Sequence, residues 1–200
     1  MSTVIGLLNY GVSGNIFSVQ KALERAGATV KTVKTKKDFK SFDKIVLPGV
    51  GSFRDAMDNL GDLKSELVDQ IHERPTLGIC LGMQILSKVG YEFGETWGLD
   101  LIDAEVKKIE VKCKVPHLGW GKLSLVKESP LLTGITNEDN FYFMHSYEVV
   151  NYTDVIALTN YCDHNFVSVI QKNDLYGVQF HPEKSREAGI VILNNFISLP

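Results

Sequence analysis

Apolar positions in the first half of the chain follow two rhythms in alternation. Val4 to Leu8 is a short apolar run ended by Asn9-Tyr10-Gly11, and it predicts a buried strand. Ile16, Val19, Leu23 and Ala26 then recur at helical spacing, and Gly27 closes that helix. Ala28 to Val33 and Lys44 to Leu47 read as strands, the second closed by Pro48-Gly49. Helices are expected around Arg54 to Leu60 and Leu63 to His72. Thr76 to Ile79 is a buried strand that runs into Cys80, and Gly82 to Lys88 is expected to begin another helix. Strand and helix in alternation imply a parallel sheet covered on both faces. A site on such a sheet lies at the carboxyl ends of its strands. The second half holds more strand: Lys122 to Val126, Phe141 to Met144, Val155 to Thr159, Phe166 to Gln171 and Leu175 to Phe180. A last helix, Arg186 to Ile197, carries Ile190, Leu193 and Ile197 on one face. The expected architecture is a three-layer α/β/α domain with a mixed, mainly parallel sheet.

Composition narrows the function classes. The 200 residues suggest one domain over 1–200, and 44% hydrophobic with 22% charged residues is ordinary globular usage. A formal charge of -3 gives no electrostatic reason to expect nucleic acid or an anionic membrane. The lysines between Lys31 and Lys44 have no interleaved aromatic platform, so a solvated surface is expected there. No run reaches the length of a membrane span, and the N-terminus lacks the basic start of an export signal. Cys80, Cys113 and Cys162 are odd in number and lack paired spacing, which argues against a disulfide framework and a zinc site. Free thiols in a reducing, cytoplasmic setting are the expectation. Asn151-Tyr152-Thr153 is then a chance match to a glycosylation sequon.

Three segments carry chemistry. Gly78-Ile79-Cys80-Leu81-Gly82 is a glycine-flanked nucleophile between a strand and a helix, with room for a sharp turn. Alone it competes with a buried structural cysteine beside turn glycines. Gln179-Phe180-His181-Pro182-Glu183 leaves a strand with His181 and Glu183 two residues apart, able to face one side. A thiol needs a base, and the base needs a third group to fix its tautomer. Pro48-Gly49-Val50-Gly51 offers bare backbone for a developing oxyanion, with the Leu81 N–H as second donor. Alone this segment is a plain turn. His72 and His164 have no such companions.

Together these motifs resemble the class I (triad-type) glutamine amidotransferases, over essentially the whole chain. Within them the resemblance is nearest to the glutaminase subunits of imidazole glycerol phosphate synthase. It rests further on Asn9-Tyr10-Gly11 with Gly14-Asn15 and Ser18, on Pro116-His117-Leu118-Gly119-Trp120, on Tyr142-Phe143-Met144-His145-Ser146-Tyr147 and on Lys184-Ser185. It implies a flavodoxin-like fold, a Cys80-His181-Glu183 triad and an oxyanion strand of Gly49, Val50 and Gly51 with Leu81. Gln84, Glu92, Ser146 and Tyr147 match positions that hold substrate glutamine. Lys184 and Trp120 match the partner interface. It also implies L-glutamine as substrate, no cofactor or metal, and a (β/α)8-barrel cyclase as heterodimeric partner in histidine biosynthesis.

The chain departs from that pattern at Asn9, where an Asp is usual, and in one extra residue before Gly14-Asn15. It also departs at Gly121, where the family has Asn after His-Met-Gly-Trp. Three alternatives stay open on sequence: a related glutaminase feeding sugar amidation, a self-sufficient γ-glutamyl hydrolase, and a regulatory subunit with a dead site.

Overall fold

A computed structural model describes residues 2–11 and 14–200. The extra residue of the N-terminal signature falls at 12–13, outside them. The main sheet has eight strands in the order Thr29–Val33, Val4–Leu8, Lys44–Leu47, Thr76–Ile79, Leu175–Val178, His164–Lys172, Val155–Tyr161 and Ser124–Leu125. Its first five strands pair in parallel and its last three join antiparallel. Alternate residues of the central strands feed two hydrophobic layers. Ile5, Leu7, Val46 and Leu77 pack with Val19, Leu23, Ile192 and Phe196 of helices Ile16–Arg25 and Arg186–Ser198. Leu8, Ile45 and Leu47 pack on the other side with Phe53, Met57, Leu67 and Ile71 of helices Phe53–Leu60 and Leu63–Glu73. This is the expected three-layer arrangement, with helices on both faces of a mixed sheet. No helix of the described residues is long and apolar enough to cross a membrane.

Several expectations need correction. The helix expected over Gly82 to Lys88 is one turn, Leu81–Gln84, followed by a strand, Ser87–Gly90. That strand belongs to a separate four-stranded sheet with Thr96–Trp97, Ile102–Lys108 and Tyr147–Val150. Met83, Ile85, Leu86 and Val89 are all buried, and a run enclosed on every side carries no readable period. The strand expected over Lys122 to Val126 is split at buried Leu123. His117–Lys122 pairs with Asn140–His145, while Ser124–Leu125 joins the main sheet. Lys44 does not share the solvated surface of its neighbours: it is buried, with Nζ bonded to the Leu199 carbonyl. His164, which the sequence leaves without a partner, opens strand His164–Lys172.

The expectation of three free cysteines is also overturned. Cys113 and Cys162 form a disulfide with their Cα atoms 6.2 Å apart, and Cys80 alone is free. Their separation of 49 residues hid the pairing, because bridge partners follow tertiary proximity rather than spacing. Closing a loop of that size stabilises the oxidised chain by about 4 kcal/mol on the loop-entropy account.

Candidate active site

The elbow is built by close backbone approach. Cys80 holds φ 53° and ψ −108°, a conformation costly for a residue with a side chain. It is held there by its N–H, which donates to the Val178 carbonyl at 2.8 Å. A Cβ on Gly78 would lie 2.7 Å from the carbonyl of Gly82, and a Cβ on Gly82 would land on the Leu47 carbonyl. The flanking glycines therefore serve the approach of three backbone segments, and the strained residue is the cysteine itself. Leu81 opens the short helical turn, where an N–H has no carbonyl inside the helix to meet.

His181 leaves the strand beside the elbow strand. Its N–H donates to the Tyr142 carbonyl at 2.8 Å, and its own carbonyl accepts from the Ser185 hydroxyl at 2.7 Å and the Lys184 N–H at 3.0 Å. The Ser185 oxygen in turn accepts the Tyr142 N–H at 3.0 Å, so the 181–185 loop is clipped to strand Asn140–His145. The ring is fully buried, with Nδ1 2.9 Å from Glu183 Oε1. Nδ1 is thus the donor, and Nε2 is buried without a hydrogen-bond partner among the described residues. Burial alone would push the ring down. The charge of Cys80, and after it the Glu183 carboxylate, outweigh burial and raise His181 to about 10. Burial likewise works against the Glu183 carboxylate, but His181 and Asn15 hold it below its ordinary range.

Asn15 is a residue the sequence did not assign to the site. It stands at the N-cap of helix Ile16–Arg25, yet its side chain makes no capping bond. Nδ2 instead donates to Glu183 Oε1 at 2.8 Å. Gln179 was also missed. Its Nε2 lies 3.5 Å from Cys80 Sγ, and its Oε1 accepts from Gln84 Nε2 at 3.0 Å. The available signal was a polar residue between apolar Val178 and Phe180 in a buried strand. Tyr10 is the third: its buried hydroxyl donates to the Pro48 carbonyl at 2.5 Å. Burial, with the Cys80 charge added, keeps that hydroxyl protonated well above its usual range.

A pocket of about 220 Å³ opens beside the thiol. Val50, Gly51, Cys80, Leu81, Gln84 and Glu92 line it from one side, and Pro116 and Met144 to Tyr147 from the other. The structure thus brings most of the sequence-selected residues to this pocket, while Gly49 and the buried His181–Glu183 pair lie behind its lining and Lys184 and Trp120 lie outside. Gly49 is wedged so closely that a Cβ would sit 2.6 Å from the Tyr10 hydroxyl and 3.0 Å from Leu81 Cβ. Gln84 spends Nε2 on the Tyr147 carbonyl, at 2.8 Å, and on Gln179, which leaves its Oε1 to meet a ligand as acceptor. Glu92 Oε2 accepts the Phe53 N–H at 2.8 Å, and burial raises its carboxyl above the ordinary range. His145 donates from Nδ1 to the Tyr147 carbonyl at 2.9 Å and is pushed down to about 3 by burial, so it is a neutral wall of the pocket.

Lys184 and Trp120 lie on an outer face. The Lys184 ammonium stands 5.7 Å over the Tyr142 ring, and the Arg186 guanidinium stands 4.9 Å over Trp120. The two rings meet edge to face at 5.6 Å. Tyr142 therefore touches this exposed row with its ring and holds the His181 N–H with its carbonyl.

The family model "Glutamine amidotransferase class-I" matches residues 7–199. The imidazole glycerol phosphate synthase subunit HisH 1 of Campylobacter jejuni (strain RM1221) is 43% identical over 202 residues, covering 98% of this chain and 100% of its own. The HisH subunit of Methanocaldococcus jannaschii is 42% identical over 197 residues, covering 98% and 100%. A chain in the structure of PurLQS from Thermotoga maritima, 17% identical, superposes with a TM-score of 0.76 over 98% of each chain and shares the fold. The subgroup that the motifs resemble is thus the one these full-length relatives carry, and the chain belongs to the class I glutamine amidotransferases.

Proposed function

We propose that the chain is the glutaminase subunit of imidazole glycerol phosphate synthase, which releases ammonia from L-glutamine for a (β/α)8-barrel cyclase in histidine biosynthesis. The observation that carries this reading is the strained Cys80 beside a buried His181–Glu183 pair, opening on a pocket of amino-acid size. The Cys80 thiolate attacks the glutamine side-chain carbonyl carbon. The developing oxyanion takes the Leu81 N–H and an N–H from Val50 or Gly51. His181 Nε2 gives its proton to the departing ammonia, while Glu183, itself held by Asn15, holds the ring. Water, deprotonated by the same nitrogen, then cleaves the thioester to glutamate. Gln84 Oε1, Glu92 and the Ser146–Tyr147 backbone hold the amino-acid end. The whole chain acts as one domain and works in the cytoplasm, and the barrel docks on the Lys184–Trp120 face.

Glutamate release would be measured for the chain alone, with the cyclase subunit, and with subunit plus acceptor analogue. Weak release that rises strongly with the occupied cyclase is expected. Full activity in the chain alone would instead indicate a self-sufficient γ-glutamyl hydrolase. Release stimulated only by a cyclase-like partner from sugar amidation would change the acceptor.

A further inference from the structure

Cys113 and Cys162 have no role in glutamine hydrolysis, yet their disulfide lies where the pocket wall is anchored. Segment 109–116 leaves the pocket and returns to it. At its start the Ile109 N–H donates to the Ser146 carbonyl at 2.9 Å, and at its end Pro116 lines the pocket. Cys113 sits between these ends and is exposed. Its partner Cys162 lies in the tight turn between strands Val155–Tyr161 and His164–Lys172. That turn grips the segment at two further points. The Tyr161 hydroxyl donates to the Lys114 carbonyl at 2.7 Å, and the Tyr161 ring stacks on His117 at 4.1 Å. The turn also reaches the second segment of the same wall, because His164 Nε2 lies 2.7 Å from Glu148, the neighbour of pocket-lining Tyr147. One turn therefore holds both segments of this wall, and the disulfide is its covalent link to one of them.

We propose that Cys113–Cys162 is a thiol–disulfide exchange site, with a low-molecular-weight thiol as co-substrate, whose oxidation state sets how firmly the pocket wall is held. This rests on reading the Cys80 pocket as a glutamine site. Disulfides exposed to solvent are the labile ones, and a chain that needs Cys80 as a free thiol works where reducing thiols are present. Lys112 and Lys114 flank Cys113 and attract an anionic thiol. Cys113 is exposed and Cys80 is buried, so Cys113 is the sulfur more open to the reagent. In the step, an incoming thiolate bonds to Cys113 Sγ, the S–S bond breaks, and Cys162 leaves as thiolate and takes a proton. A second thiolate then bonds to the sulfur of the first, the mixed disulfide breaks, and Cys113 leaves as thiolate and takes a proton. Two thiols are oxidised to one external disulfide, and the protein pair is reduced to two thiols. The segment is afterwards held in the middle only by the Lys114 bond and the His117 stack.

The test compares oxidised protein, protein reduced with glutathione, and the double variant C113S/C162S. Glutamine KM is one readout, and the rate of Cys80 labelling by iodoacetamide, followed by peptide mass, is the other. Reduction and the double variant are expected to raise KM alike, by roughly 3- to 10-fold, and to speed Cys80 labelling. Equal KM and equal labelling in all three forms would overturn the proposal, as would a disulfide that glutathione leaves intact. If no form hydrolyses glutamine, the glutaminase reading fails while the labelling rates still decide the exchange site. Cys113→Ala alone serves if the double variant does not fold.

Discussion

Two glycine-bearing segments meet at the site, and they are held in opposite ways. In Gly78–Gly82 the space a side chain would need is filled by main chain: the Gly82 carbonyl for Gly78, the Leu47 carbonyl for Gly82. In Pro48–Gly51 the restraint is a side chain, the Tyr10 hydroxyl, which packs on Gly49 and bonds the Pro48 carbonyl. Gly51 beyond it is exposed with φ +121°. Backbone against backbone leaves one conformation, whereas backbone against a tyrosine leaves a segment that can turn when the ring shifts. The nucleophile is thus fixed, and the adjustable half of the oxyanion site is Val50–Gly51.

The largest expected effect tests the fixed half. Cys80→Ala and His181→Ala should each lower glutamate release on the order of 10⁴-fold or more, with the thermal midpoint little changed. Near-normal release from either folded variant would remove the thiol mechanism. Glu183→Gln should be about 10²-fold milder, because an orienter only holds the base. It should also move a pH limb. His181 is raised from 6.5 to about 10, so its imidazolium persists to that pH and is lost above it. Removing the Glu183 carboxylate takes away one cause of the rise, and the alkaline limb of kcat/KM should shift to lower pH. An unmoved limb would mean that Glu183 does not act on the ring electrostatically.

The contrast itself is tested by matched substitutions. Gly82→Ala should cost more than about 4 kcal/mol and give little soluble protein, since no side chain can yield to the new methyl. Gly49→Ala meets the Tyr10 hydroxyl most closely and Leu81 Cβ less so, and should cost about 1–3 kcal/mol, leaving a folded chain. Equal losses by thermal unfolding would erase the distinction. Tyr10→Phe removes one hydrogen bond to Pro48 and should change partner-stimulated hydrolysis by about tenfold. Asn15→Ala is expected to be the gentlest, at most about tenfold in kcat with KM unchanged, because Glu183 still holds the ring.

Legibility in the sequence followed periodicity and local motifs. The parallel half was readable because Val4–Leu8, Lys44–Leu47 and Thr76–Ile79 are short apolar runs between helix-period segments. Ile102, Ala104 and Val106 alternate with polar Asp103, Glu105 and Lys107, so that strand carried its signal too but went unread. Ser87–Gly90 carried little, because it continues a run, Leu81 to Leu86, that is buried throughout, and of its own four residues Lys88 alone is exposed. At the site, residues acting within a few positions of one another, such as His181 with Glu183, declared themselves. Asn15 and Gln179 act across 168 and 99 positions, on Glu183 and Cys80, and only the fold brings them there. The Cys113–Cys162 bridge escaped for the same reason.

The place of Leu175–Val178 in the sheet bears on synthesis. It lies between Thr76–Ile79 and His164–Lys172, at the junction of the parallel and antiparallel halves, and it is the last strand in the chain. A ribosome that has delivered residues 1–170 carries a nascent elbow whose Cys80 N–H lacks the Val178 carbonyl and whose thiol has no imidazole. The central gap closes only when the strand bearing the base slots in, so pairing across the middle of the sheet and assembly of the catalytic groups are one event. A nascent chain stalled before that point cannot waste glutamine, and its two unpaired central edges are what a chaperone would have to cover.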